Sequence, residues 1–581
     1  MTGGRGRGAT LRHLAVLAVG ALHATAPARA ADEAPAPDDE KNAVSVSLTD
    51  DFEIRYWLSE QRLFDPDDVP VFNYVEQVNR LNAVVSKGPW AFDAQWDEVA
   101  LFATRYRLDG TLYDERVLTL PEVNNPLPDQ WVAYTNLEKV RGKYETKGVS
   151  ISLGDSYAAF GRGIALNLNR NVDIDIDTSI QGAKVVWRPG AWDVTAVAGQ
   201  LNRQQVFQDN PNIELQGDYR HTVAGLRAER FGLGPFDLGA HGVVYDFTPE
   251  PGLQAGFDEL GEGGPDVVIG GVTAAAYGVA GIDWYLEGDA FGYDREFPAT
   301  LVADPEDPGY AAYLSGSFYP GSFVVLVEGK RYYQAQRVNG VLTPELYQVA
   351  VAPTLEYERQ ITEDSAAALN SNDIWGSRIT VDWAAKPGEL TPYVAVGLFR
   401  DLELGGLHFN EVPETIVHPL VGVEWLKGES SAIVNAGYRI DDRDGDAFGA
   451  DRHLHGDAAI RWPLPLGLAG EVNAGAEWYR WGVNPFQQEP YVEMETGWTV
   501  HKGSDVGVTW YMDYTTNPLI DSTGNLSDPL YGALELQVKP TSAVTVKLFG
   551  GAYKAGIRCS GGQCRTLPGF EGGRFSITGT L

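Results

Sequence analysis

Residues 471–478 read Glu-Val-Asn-Ala-Gly-Ala-Glu-Trp, which sets Val472, Ala474, Ala476 and Trp478 on one side of an extended chain and Glu471, Asn473 and Glu477 on the other. A period of two marks a strand with two unlike faces, because successive side chains point to opposite sides of the backbone. The pattern recurs along the chain. Gly532, Leu534, Leu536 and Val538 oppose Ala533, Glu535 and Gln537, and Ile379, Val381 and Trp383 oppose Arg378, Thr380 and Asp382. A soluble β-sandwich alternates in the same way, so the connections between segments must decide the fold.

Those connections alternate strictly in length. Short turns fall near Gly88, Gly148, Pro189-Gly190, Gly232–Pro235, Gly281, Pro320-Gly321, Pro387-Gly388, Gly428, Pro463–Gly467, Gly503 and Pro540. Longer polar stretches lie between them, among them Gln61–Val71, Asn202–Tyr219, Thr248–Pro265, Arg295–Gly309, Asp441–Asp451 and Thr515–Pro529. Short turns at one end and long loops at the other are the plan of an outer-membrane barrel. The predicted fold is therefore all-β: a single large transmembrane antiparallel up-and-down β-barrel of about 24 strands (roughly 22–26), with short periplasmic turns and long extracellular loops. Tyr347–Glu358 alternates in part, but counting it as a strand breaks the even parity, so it is assigned to a long loop from Ala335 to Asp373.

The N-terminal residues fit export. Arg5, Arg7 and Arg12 precede an apolar run from Leu14 to Leu22 and then Ala28-Arg29-Ala30, the layout of a secretory signal peptide cleaved after about Ala30. The domain plan is a signal peptide over 1–30, a short polar leader over 31–42 and the barrel over 43–581. Removing the four signal-segment arginines takes the formal charge from −34 to −38, which argues against nucleic-acid partners. No later run of about 18 apolar residues offers a membrane helix. The nearest, Val267–Ile282, carries Gly270, Gly271, Gly278 and Gly281 and reads as a strand and tight turn. The expected location is the outer membrane of a Gram-negative bacterium, in contact with outer-membrane lipids and, during biogenesis, with the barrel assembly machinery.

Aromatic residues support the membrane reading. Trp187, Trp383, Trp425 and Trp462 stand before short turns, while Tyr332-Tyr333, Trp478-Tyr479, Trp510-Tyr511 and Tyr553 stand before long loops, as two interfacial girdles would require. The terminal residues 574–581, with Phe575, Ile577 and Leu581 on one face, resemble a barrel-assembly signal, with Leu where Phe is commoner. With the apolar face toward lipid, the opposite face lines the lumen. It would carry Asp382, Glu424, Asp457, Glu471, Glu477, Glu493, Glu495 and Glu535 against Lys184, Arg378, Arg461 and Lys547, an acidic and hydrated surface favouring cations. Loops 104–130 and 335–373 are the candidates to fold inward and constrict it.

One segment departs from simple alternation: residues 154–168, Gly-Asp-Ser-Tyr-Ala-Ala-Phe-Gly-Arg-Gly-Ile-Ala-Leu-Asn-Leu. Gly161 and Gly163 around Arg162 suggest a bulge or close backbone approach that aims the guanidinium inward, where Asp155, Asp173, Asp175 or Asp177 stand ready to pair with it. The group, with Tyr157, reads either as an internal brace for a wide barrel or as a solute contact. The Gly-Asp-x-Tyr and Gly-Arg-Gly-Ile pattern, with Asp177-Thr178-Ser179-Ile180-x-Gly182 further on, resembles a family of uncharacterised bacterial outer-membrane barrels. That resemblance implies a barrel and no established activity.

Other chemistry is thinly represented. Cys559 and Cys564 lie in one Gly-rich loop and read either as a local disulfide or as free thiols. His453, His455 and Asp457 share a strand face and form a weak metal candidate. Acid-rich loops such as 65–68 and 441–446 read as solvated, with divalent-cation binding the other possibility. No Gly-x-Ser-x-Gly and no His-Glu-x-x-His appears, so the chain does not read as an enzyme. The expected function is a passive, porin-like channel for small polar or cationic solutes, with no cofactor. The other reading is a structural or partner-binding barrel with a closed pore.

Overall fold

The computed structural model describes residues 43–61, 72–103, 132–171, 176–203, 221–246, 266–293, 308–333, 335, 374–401, 414–443, 450–480, 490–516, 530–554, 556–560, 563–567 and 569–581. Twenty-four of its strands make one barrel; they run from eight residues (Val149–Ser156) to eighteen (Val44–Gln61). Each pairs antiparallel with its sequence neighbours, and the last, Gly569–Thr580, pairs with the first, Val44–Gln61, from Thr49↔Thr580 to Gln61↔Gly569. Closure matters physically: an open sheet would leave unpaired N–H and C=O groups along two edges, and a closed ladder leaves none. At this strand number, with strands 4.7–4.9 Å apart and tilted, the backbone encloses a space roughly 45 Å across.

The eleven short turns expected from Gly and Pro are all present, joining for example Lys87 to Trp90, Val279 to Ile282 and Lys502 to Val506. Left-handed glycines make several of them, including Gly88 (φ 57°), Gly281 (φ 77°) and Gly428 (φ 63°). Both termini of the barrel lie at this short-turn end, where Leu48 and Leu581 exchange backbone hydrogen bonds. Strand Phe323–Tyr333 pairs directly with Ile374–Trp383, so no barrel strand comes between them, as the parity argument requires; Tyr347–Glu358 itself lies outside the described residues.

The two faces sort as the alternation requires. On six consecutive strands Leu226, Leu238, Val272, Leu286, Leu314 and Val327 are exposed on the outside. On strand 374–383 Ile379 and Trp383 point out, whereas Arg378 and Thr380 are buried inside. The aromatic rims are only partly as read. Trp187, Trp383 and Trp425 are exposed at the short-turn end, but Trp510 is exposed in mid-strand, opposite Trp498, and Tyr332 and Tyr479 point inward and are buried. Adjacent residues of a strand face opposite sides, so a Tyr-Tyr or Trp-Tyr pair can contribute only one member to an outer girdle.

Candidate functional site

The inner wall is held by ion pairs, across neighbouring strands (Arg80–Asp97, Arg378–Glu328), along one strand (Arg439–Asp441) and from beyond a strand end (Lys554). Arg80 grips Asp97 with three hydrogen bonds (Nε–Oδ1 3.0 Å, Nε–Oδ2 3.3 Å, Nη2–Oδ2 2.9 Å), Arg378 reaches Glu328 at 2.5 Å, and Arg439 reaches Asp441 at 2.6 Å. Lys554 pairs with Glu493 and stands 3.0 Å from Glu495. Glu493 and Glu495, two of the acids expected to give the lumen a free negative surface, thus share one lysine.

The connection after Val149–Ser156 is the feature that shapes the interior. Ala158–Phe160 and Leu166–Leu168 pair with each other and not with the barrel ladder, forming a hairpin folded against the inner wall. Its turn uses Gly161 (φ 56°) and Gly163 (φ 97°), conformations that cost a residue with a Cβ and not glycine. Phe160, Ile164, Ala165, Leu166 and Leu168 are each at most 2% exposed. They join an apolar cluster that includes Ile180, Val243, Tyr313, Phe399 and Ile416, contributed by strands from Ile176–Trp187 round to Glu414–Lys427. Most of its wall members sit near the long-loop ends of their strands. The inner face is therefore not polar throughout, as alternation alone suggested; on this side it is a dry core. Polar contacts with the wall fix the hairpin: Tyr245 Oη donates to Ala165 O (2.7 Å), the Arg162 N–H donates to Glu287 Oε2 (2.7 Å), Arg227 Nη1 donates to Ala159 O (3.4 Å) and Lys184 Nζ donates to Tyr157 O (2.5 Å).

At the base of the hairpin a polar knot replaces backbone pairing. The ladder between Val132–Glu145 and Val149–Ser156 stops at Arg141↔Gly154, and beyond it the Val140 N–H donates to Asp155 Oδ2 at 2.7 Å. Gly154 is required there: it has φ 94°, and a Cβ would stand 2.0 Å from Val140 O. Asp155 Oδ1 accepts from Ser179 Oγ (3.0 Å) and Asn202 Nδ2 (2.7 Å). Tyr157 Oη donates to Asp177 Oδ1 (2.7 Å), which also pairs with Lys139, and Arg170 stands 3.6 Å from Asp177 Oδ2.

Sequence reasoning placed Asp155, Tyr157, Arg162 and Asp177 in the interior, and they are there. Arg162, however, pairs with neither acid. Its guanidinium lies over the rings of Tyr285 (5.3 Å) and Tyr313 (4.8 Å), because the hairpin turn carries it across several strands from the base where the acids are engaged. Asp173 and Asp175 lie outside the described residues, as do loop 104–130 and residues 336–373. Lys139, Ser179, Asn202, Tyr285 and Glu287 were missed. Tyr285 and Glu287 do share one face of an alternating segment, a signal open to a reader; their contact with Arg162 is not.

The remaining candidates resolve individually. Glu477 accepts from His453 Nε2 at 3.1 Å, and Glu493 also takes a hydrogen bond from Thr515 Oγ1 at 3.3 Å. His455 turns away from a common point with His453 and Asp457 and meets His418 instead (Nε2···Nε2 2.8 Å). Gly437, on the strand between them, makes the room: a Cβ there would be 2.4 Å from His455 Nε2 and 2.9 Å from His418 Nε2. Among the described residues the metal-type ligands that converge are His241, Glu287 and Asp289, not the histidines singled out in the sequence. The backbone of hairpin Gly556–Ser560/Gln563–Leu567 sets Cys559 directly opposite Cys564.

No family model matches the chain, and no curated protein does. Among solved structures it is similar to the copper transporter OprC, with 10% identity over 93% of this chain and 81% of that one and a TM-score of 0.42. It is similar to the siderophore receptor PirA from Pseudomonas aeruginosa (7% identity, 93% of this chain and 81% of that one, TM-score 0.43) and to OccAB2 from Acinetobacter baumannii (10% identity, 75% and 98%, TM-score 0.35). Identities this low assign no residue a role.

Proposed function

We propose that the protein is an outer-membrane β-barrel that works as a passive, porin-like channel with a preference for cations, narrowed on one side by the inward hairpin 157–171. The apolar outer band and the edge-free ladder suit a bilayer, where each charge or unpaired backbone group facing lipid is costly. The observation that carries the channel reading is the division of the inner wall. The hairpin and its dry core occupy the strands from Ile176–Trp187 to Glu414–Lys427, while pairs such as Arg80–Asp97, Arg439–Asp441 and Glu493–Lys554 line strands on the other side. Three-residue strands are only about 10 Å long, so among the described residues the hairpin does not fill a space this wide and leaves room for a hydrated path on the side of the ion pairs. Paired charges leave the field weak, so the cation preference is modest and comes from acids in surplus, as where Glu493 and the 63% exposed Glu495 share the single Lys554.

Planar-bilayer recording of the purified protein tests the reading. Discrete open levels with a reversal potential favouring K⁺ over Cl⁻ are expected; anion preference or persistent silence overturns it. The buried hairpin favours a second reading, a closed barrel that binds partners through its loops. Silence in the wild type with conductance appearing once residues 158–168 are replaced by a Gly/Ser linker is its signature.

A further inference from the structure

Glu287 and Asp289 stand two residues apart on the inner face of strand Ile282–Tyr293. His241 reaches them from strand Phe236–Asp246, two places along the wall. The register explains the meeting: His241 lies opposite Gly271, and Gly271 lies opposite Asp289. A Cβ on Gly271 would stand 2.1 Å from Asp289 Oδ1 and 2.4 Å from His241 Nε2, so only glycine leaves the seat in which the two side chains meet, Nε2···Oδ1 2.6 Å. The hairpin closes the pocket from the lumen, with Gly161 so near that its Cβ would be 2.2 Å from Glu287 Oε1.

The cluster is dry and short of partners. The His241 and Asp289 side chains are 1% and 0% exposed, and Glu287 is 0% exposed. Among the described residues neither carboxylate is paired with a lysine or arginine, unlike the acids of the Arg80, Arg378 and Lys554 pairs. Three buried atoms have no hydrogen-bond partner: His241 Nδ1, Glu287 Oε1 and Asp289 Oδ2. Two buried carboxylates with one imidazole and vacant lone pairs are the environment that a divalent cation satisfies, supplying positive charge and filling those lone pairs together. The second oxygen of Glu287 is already held, by the Arg162 N–H at 2.7 Å and Tyr285 Oη at 2.5 Å, which orients the carboxylate as outer-shell partners orient metal ligands.

We propose that His241, Glu287 and Asp289 bind a divalent first-row transition ion of the Zn²⁺ or Mn²⁺ type. One nitrogen and two oxygens form a donor set too hard for thiophilic ions and one that departs from the all-oxygen shells of Ca²⁺ and Mg²⁺. One ligand atom from each residue lies within 4.8 Å of the others. Bonds of about 2.1 Å draw such atoms to roughly 3–4 Å apart, a contraction within reach of side-chain rotation. Because Glu287 also receives the Arg162 N–H, an ion here fixes the inward hairpin to the wall. The site stands whether or not the barrel conducts.

The test uses the full-length folded protein in detergent, stripped with a chelator and titrated calorimetrically with ZnCl₂, then with MnCl₂. One equivalent per chain is expected for the wild type and for His453→Gln, with affinity weakened at least about tenfold in His241→Gln and in Asp289→Asn. No stoichiometric binding by the wild type, or undiminished binding by the two variants, overturns the proposal. Should both variants fail to fold, zinc-edge X-ray absorption of the wild type decides: one imidazole with oxygen neighbours upholds it, and two imidazoles or any sulfur overturns it.

Discussion

Replacing Phe160 with alanine asks whether the inward hairpin is held by packing. The ring is 0% exposed, lies close against Gly225, where a Cβ would be 2.8 Å from Cε2, and has its centroid 6.0 Å from that of His241. Truncating a phenylalanine so buried costs about 3–5 kcal/mol, from lost transfer energy plus the cavity left behind. The hairpin strands bond to each other and not to the barrel ladder, so the loss falls on docking and leaves the wall intact. At about 1.4 kcal/mol per decade, the local opening equilibrium rises between roughly 100-fold and several thousand-fold. Hydrogen exchange read by mass spectrometry on a peptide spanning 157–171, with strand Trp192–Arg203 as internal reference, measures that factor directly. Hairpin exchange changed by less than about tenfold, or equal acceleration of the reference strand, would refute the idea that this hairpin is a separately docked unit.

Asp177→Asn removes the charge that the buried Lys139 pairs with, and is expected to cost about 3–5 kcal/mol; an unchanged urea midpoint for the refolded barrel counts against the knot as a brace. Val421→Arg, at the middle of an outward face where Val421 is 56% exposed, is expected to cost about 2–4 kcal/mol in lipid vesicles, while a cost near zero would mean that this face does not meet hydrocarbon. Cys559 and Cys564, directly opposite in an antiparallel pair, fall within disulfide reach, so iodoacetamide is expected to label neither without prior reduction; labelling of the untreated protein shows free thiols.

Period-two alternation, turn glycines and the short-long rhythm of connections were enough for the strand number, the end at which the termini lie, and the side of each strand that faces out. These properties are local: which way a side chain points depends on its place in its own strand, and a tight turn depends on two to five residues. The interior was not legible. Residues 154–168 announced a departure from alternation but not its direction, and the loops thought to constrict the lumen did not include them. Arg162 was placed inside, but Asp155 and Asp177, two of the partners offered for it, are held at the hairpin base instead, and His453 and His455 were grouped although each is drawn to a different strand. Contacts across the wall depend on register and closure. His241 and Asp289 are 48 residues apart and meet only because both align on Gly271, a consequence of how hydrogen-bonded ladders stack around the barrel. Alternation in one segment fixes which face a residue occupies, and the closed sheet alone fixes what it finds there.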